Sequence, residues 1–323
     1  MTAGLDPLLA GAAGTRVAWE RVPLAVRRSI EDHLGLGVVA TQSQAGGFSP
    51  ALAARLRLCD GTSVFAKAIG PDDQSGAPGG QGYYRREAEV SSQLPSTVPT
   101  PALLDHWETG GWVVLLFENI EGTNPVLPWQ PRQLDRVLAA MEATAKALTP
   151  SPLAAPAAAT PGGTTHWRDL LAEPDRFGRL TDQVPWVAQH VELLARLEAS
   201  SAQAYAGETL LHFDVRADNI LLTDNDVYLV DWPHVRIGSP WVDLVYFLPS
   251  VAMQGGPAPQ ELFWRHPLSE EAAGEDVARV LAGIAGFMLD EATRPPPPGL
   301  PGLRRFQLAQ GLEAVRWLQL LPA

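Results

Sequence analysis

The run LLHFDVRADNILLTDNDVYLVDW, Leu210 to Trp232, sets His212, Asp214, Asn219 and Asp231 around two short apolar segments. Acidic residues are normally solvated and Asp is a poor strand former, yet these abut Val, Leu, Ile and Tyr, which pair in small buried sheets. The spacing is His-x-Asp-x-x-x-x-Asn, and Asp231 ends the strand-like VYLV twelve residues beyond Asn219. Phosphoryl transfer asks for little covalent chemistry and mostly requires nucleotide, metal and acceptor to be held in line. A carboxylate at Asp214 to take the acceptor proton, with Asn219 and Asp231 as hard oxygen ligands for Mg²⁺, would meet that need. The bland alternative is a β-hairpin with turn aspartates. Asp218, Asp224 and Asp226 read as solvated turn residues, and His106 and His234 as ordinary surface or half-buried histidines.

Such a hairpin needs a scaffold. VPLAVRRSIEDHLG has helical spacing of Leu24, Val26, Ile30 and Leu34, with Gly35 as C-cap. Residues from Val38 to Gly70 read as strand, Gly-rich turn, strand, Asp60-Gly61 hairpin and strand, Leu56 and Leu58 facing opposite to Arg55 and Arg57. PDDQSGAPGGQG is a loop, and YYRREAEVSSQLP a short helix ended by Pro95. LLDHWETGGWVVLLFENIEG is a second hairpin turning at Gly110-Gly111. Beyond Gly122 the pattern becomes helical: QLDRVLAAMEATAKAL, then a Pro/Ala/Thr connector, then a long helix over WVAQHVELLARLEASSAQAYA, and helices over 259–292 and 302–321. The expected fold is α+β and bilobal: an N-terminal β-sheet lobe with one inserted helix (1–118), a hinge (119–123) and a larger, mainly helical lobe (124–323). Clefts between lobes are common ligand sites.

The 323 residues carry a formal charge of −12 and no basic stripe, which argues against nucleic acid and anionic membranes as partners. Cys59 is the only cysteine, so an intrachain disulfide and a thiolate zinc cluster are both excluded. The N-terminus lacks the basic segment of a secretion signal, and LVYFLPSVAM is too short to span a bilayer and is broken by Pro249. A cytoplasmic protein is the expectation.

With these motifs in order, the chain resembles the aminoglycoside phosphotransferase family, whose fold is protein-kinase-like. The resemblance runs from about Trp19 to the final helix. It implies ATP (or GTP) and Mg²⁺ as cofactors, Asp214 as catalytic base, and Asn219 and Asp231 as metal ligands. Lys67, in VFAKAI, corresponds to the lysine on the α- and β-phosphates, and Glu87 to its helix partner, with Glu89 a rival for that role. Gly46, Gly47 and Ser49, in QAGGFSP, correspond to the turn over the phosphates. Glu118 to Ile120 correspond to the hinge that reads adenine, Asp243 to the aspartate bracing the catalytic loop, and His212 to a structural histidine. Phe213 stands where regulated protein kinases carry an arginine, and Trp232-Pro233 follow Asp231. Both features favour a constitutive small-molecule kinase over a protein kinase.

The acceptor is the least legible part. Arg168, Asp169, Asp175, Trp186, Glu261 and Trp264 are candidate wall residues, and an acidic cleft with aromatic platforms would suit a cationic acceptor. Three readings follow. One is an O-phosphotransferase acting on a hydroxylated small molecule, plausibly an aminoglycoside or other antibiotic inactivated by phosphorylation (resistance or self-protection). The second is a metabolic kinase of choline, homoserine or sugar type. The third is a nucleotide-binding pseudokinase scaffold.

Overall fold

The computed structural model describes residues 16–44, 51–71, 80–153, 164–297 and 299–321. Apolar–polar alternation in the first third builds β1 (Val38–Ser43), β2 (Leu52–Leu58), β3 (Ser63–Ile69), β4 (Leu103–Thr109) and β5 (Trp112–Glu118). They form an antiparallel sheet in the order β1-β2-β3-β5-β4. The strand carrying Lys67 is therefore central, with Lys67 opposite Ala53 on one side and Leu115 on the other. Gly110 and Gly111 both have positive φ (54° and 78°), the backbone a tight two-residue hairpin requires.

Helix α1 (Leu24–Leu34) closes one face of this sheet, burying Val26 and Ile30 with Leu52, Leu56 and Leu116. Leu24, assigned to the same stripe by spacing, is exposed instead. Gly35 caps the helix at φ 65°, as expected. The other face receives α2 (Gln81–Ser91), whose Tyr84 and Ala88 pack on Ile69, Leu115 and Phe117. That packing brings α2 beside Lys67.

The second lobe is built on α3 (Pro131–Ala147), α4 (His166–Leu171), α5 (Pro174–Gln183), α6 (Pro185–Ala199), α7 (Ser201–Ala204), α8 (Val242–Met253), α9 (Pro259–Phe263), α10 (Gly274–Ala292) and α11 (Leu303–Leu318). Two expected helices are interrupted. The long one breaks at Ser200, whose hydroxyl donates to the Arg196 and Leu197 carbonyls, separating α6 from α7. The stretch 259–292 is split into α9 and α10 by a 3-10 turn starting at Pro267. Pro249, by contrast, lies inside α8, where burial in the core outweighs its local penalty.

Four short strands mount the loop between these helices. β6 (Thr209–Leu211) pairs with β9 (Arg236–Gly238), and β7 (Ile220–Leu222) with β8 (Val227–Leu229), the hairpin expected from the sequence. The architecture is the bilobal, protein-kinase-like one anticipated. Among the described residues no helix is long and apolar enough to cross a membrane.

Candidate active site

Lys67 reaches from β3 into the space between the lobes. Its Nζ donates to Glu87 Oε1 at 2.6 Å and to Asp231 Oδ1 at 3.0 Å, tying sheet, helix and C-lobe loop together. Burial works to lower the lysine's pKa, but Asp231 and Glu87 outweigh it and hold the ammonium above its ordinary value. Burial raises Glu87 and Lys67 pulls it back, leaving a net upward shift. Asp231, whose side chain is part-exposed to the cavity, is raised by partial desolvation, yet Lys67 beside it keeps its carboxyl well below the usual carboxylate range. Glu89, the rival partner, faces outward and pairs with Arg86.

The loop after β6 is held by bonds along its own length. Asp243, in the first turn of α8, accepts the backbone N–H of His212 (2.8 Å) and Phe213 (2.9 Å). Those bonds hold Phe213 at φ 64°, and Asp231 sits at φ 72°. Left-handed backbone is uncommon for any side chain and a true outlier for a bulky one, and such strain gathers where a site requires it. Asn219 Nδ2 donates to Asp214 Oδ2 (3.0 Å) and to the Asp214 carbonyl (2.9 Å). Burial raises the Asp214 pKa, with Arg216 opposing. Asn124 clamps the loop from outside, its Nδ2 bonding the carbonyls of Ala217, Asp218 and Ile220.

His212 is 1% exposed. It donates from Nε2 to the Val230 carbonyl (3.0 Å) and accepts the Asp214 N–H at Nδ1 (3.3 Å), a pattern only the neutral ring satisfies. Burial pushes its pKa down to about 4. As pH falls from 6.5 toward 4, the unfolded chain takes up a proton that the folded chain refuses, so stability drops, by up to about 3 kcal/mol. Asp243 works in the opposite sense. Burial lifts its carboxyl to about 6, so its contribution is present at low pH and lost as pH rises through 6. Wild-type protein should therefore show a shallow acid slope. His212→Asn should lose less stability than wild type between pH 6.5 and 4 in urea unfolding at stepped pH, whatever its offset.

A cavity of about 690 Å³ opens between the lobes, a size typical of small-molecule sites. Lys67, Glu87, Asp214, Asn219 and Asp231 all line it, as do Glu118, Asn119 and Ile120 at the crossing between lobes. The Ile120 carbonyl is already taken by Gly122 N–H (2.9 Å) and Arg55 (3.0 Å). Asn119 Oδ1 is buried there with no hydrogen-bond partner among the described residues.

Residues 77–281, well over half of the chain, match the phosphotransferase enzyme family. The chain belongs to that family. No curated protein matches it. Among solved structures, it is similar to a thermostable mutant of aminoglycoside phosphotransferase APH(4)-Ia in ternary complex with ADP and hygromycin B. The two are 17% identical at a TM-score of 0.54, covering 90% of this chain and 98% of that one. A choline kinase from Cryptosporidium parvum Iowa II is 9% identical at a TM-score of 0.55, covering 94% and 93%. A macrolide 2'-phosphotransferase from Brachybacterium faecium is 13% identical at 0.50, covering 82% and 90%. At these identities the likeness speaks to the fold.

Within this phosphotransferase, Lys67, Glu87, Glu118, Ile120, Asp214, Asn219 and Asp231 converge on one cavity, while His212 and Asp243 brace the loop from outside its lining. Gly46, Gly47 and Ser49 lie outside the described residues. The expected acceptor wall does not converge: Arg168, Asp169, Asp175, Trp186, Glu261 and Trp264 are all absent from the cavity lining. Trp186 stacks on His190 within α6, and Asp169 accepts from Thr165 within α4, so these are local helix contacts. The C-lobe wall is instead formed by α10 and α11. Asp218 is also not a solvated turn residue; its side chain is 9% exposed and paired with Arg216, whereas Asp224 and Asp226 are exposed. Arg216, which the sequence reading passed over, joins Asp214 and Asp218. His234 is half-buried and His106 exposed, as expected, and His234 also lines the cavity.

Proposed function

We propose that this phosphotransferase transfers the γ-phosphate of ATP to a hydroxyl of a small molecule, with Asp214 as the base and residues 119–123 as the hinge. One observation carries the reading: Lys67, Asp214, Asn219 and Asp231 line a single interlobe cavity, Lys67 bonded to Asp231 and Asn219 to Asp214. The acceptor O–H bond breaks as its oxygen forms a bond to the γ-phosphorus. The proton passes to Asp214, and the bond to the β-phosphate oxygen breaks, with ADP leaving on that electron pair. Lys67, fixed by Glu87, presents its charge to the nucleotide phosphates.

The donor set fits Mg²⁺. Asn219 spends Nδ2 on Asp214 and so has Oδ1 for a cation; Asp231 spends Oδ1 on Lys67 and has Oδ2. Among the described residues no group of three His, Cys, Asp or Glu could hold a metal alone, so phosphate oxygens must complete the shell, as Mg²⁺ prefers. Bound there, Mg²⁺ would neutralise phosphate charge. Asn119 Oδ1, buried without a donor, matches the exocyclic amino group of adenine. A pseudokinase scaffold would have no physical need for base and ligands together.

The structural relatives are named for an aminoglycoside, choline and a macrolide, so the fold leaves antibiotic and metabolic acceptors both open. The test is ADP release from Mg-ATP across a panel of antibiotics, choline, homoserine and sugars. One class should support turnover that Lys67→Met abolishes. Silence together with no Mg-ATP-induced rise in Tm would sink the reading.

A further inference from the structure

The carboxylates lining the cavity nearly all have an ion-pair partner within the protein. Glu87 and Asp231 share Lys67. Asp214 and Asp218 share Arg216. Glu291 is held by Arg294 (3.1 Å) and Arg304 (2.6 Å). Glu118 has no such partner among the described residues, but it stands at the hinge, the nucleotide end. An ammonium group entering the acceptor half would therefore meet no carboxylate without a cationic partner already beside it, despite the chain's overall negative charge.

What it would find is apolar. α10 contributes Phe287 (41% exposed, at the surface end) and Met288; α11 contributes Leu303 and Phe306. Phe306 stands 5.9 Å from the Arg216 guanidinium that grips Asp214, so this wall begins beside the base. Across from it lie Phe213 and Tyr246, ring centroids 4.2 Å apart. Among the polar groups on this surface, which include His234 and Gln307, two are set to meet a ligand. Arg236 lies over the Phe213 ring at 5.6 Å, bonds only the carbonyls of His234 and Val235, and has no carboxylate partner among the described residues. Gln310, 2% exposed, donates Nε2 to the Tyr246 carbonyl, which fixes its amide orientation; its Oε1 is buried with no donor among the described residues.

From this arrangement we infer that the acceptor is a largely apolar alcohol without an ammonium group. A carboxylate or carbonyl oxygen of that molecule faces Arg236, and one of its hydroxyl or N–H donors faces Gln310. This inference rests on the phosphotransfer reading above and narrows its substrate class. It also turns against the cationic acceptor expected from an acidic cleft with aromatic platforms, since the acids of this cavity are already paired.

The probes are 12-hydroxydodecanoate, dodecane-1,12-diol, 12-aminododecan-1-ol and kanamycin, titrated calorimetrically into Mg-ATP-loaded full-length protein, with phosphorylated product read by mass. The hydroxy acid should bind tightest and the diol next, with the amino alcohol and kanamycin at least ~10-fold weaker. Arg236→Gln should weaken the hydroxy acid about tenfold, to the level of the diol, whose affinity should not move; the Mg-ATP shift in Tm reports that the variant is folded. If the amino alcohol or kanamycin binds as well as the hydroxy acid, the acceptor class is wrong. It is equally wrong if no probe binds to protein that Mg-ATP still stabilises, and in both cases the phosphotransfer reading stands. Loss of Mg-ATP binding in wild type would remove both.

Discussion

Asp214→Asn should cut turnover by ~10²–10⁴-fold, the usual scale for losing a general base, while Mg-ATP binding is largely kept. The carboxylate is poised by what surrounds it: Oδ1 takes Arg216 at 2.7 Å, and Oδ2 takes Asn219 Nδ2 at 3.0 Å. Asparagine keeps the shape but cannot accept the acceptor's proton. Its new amide must also place either NH₂ against Asn219 Nδ2 or NH₂ against Arg216, donor facing donor in either rotamer. The nucleotide contacts proposed for Lys67 and Asp231 would not pass through this side chain. The decisive measurement is kcat with an accepted alcohol, alongside the Mg-ATP dissociation constant. Unchanged kcat would strip Asp214 of the role, and a Kd that collapsed with kcat would mean the variant had disrupted the nucleotide site instead.

The grouping of His212, Asp214, Asn219 and Asp231 was legible because they lie in one continuous run whose spacing is local, so no tertiary knowledge was needed to bring them together. Lys67 was legible for a related reason, as a lysine in an otherwise apolar central strand. Glu87 and Glu89 could not be separated from the sequence, since the two lie on opposite sides of α2 and only its packing on Ile69 and Leu115 decides which one meets the sheet. The C-lobe lining of the cavity was the part misread. It depends on α10 and α11 folding back over the catalytic loop, a contact between segments far apart in sequence. Asp169 and Trp186, near the connector, looked chemically apt but make contacts local to their own helices. Arg216 left a signal that could have been used: Asp214-x-Arg216-x-Asp218 alternates charge across one 3-10 turn (Ala217–Asn219), too tight for three exposed side chains to ignore one another.

Arg216→Gln should therefore be among the most damaging single changes outside the reacting groups. Arg216 grips Asp218 with two nitrogens, both at 3.0 Å, and Asp214 with a third. Burial alone would lower its pKa, but Asp214 and Asp218 hold it above the ordinary arginine value, so the guanidinium is the neutralising centre of a mostly desolvated triad. Its removal leaves two carboxylates facing each other with no compensating charge. Breaking a buried pair from one side costs ~3–5 kcal/mol, or a fall in Tm of ~6–20 °C for a lobe of this size. A plain loss of packing against Phe306 would also destabilise, so the double variant Arg216→Gln with Asp218→Asn makes the distinction. If uncompensated charge is the cause, taking one carboxylate away should restore part of the lost Tm, a non-additive recovery. If the double variant is no more stable than Arg216→Gln alone, the guanidinium matters for its shape, and the electrostatic account of this loop fails.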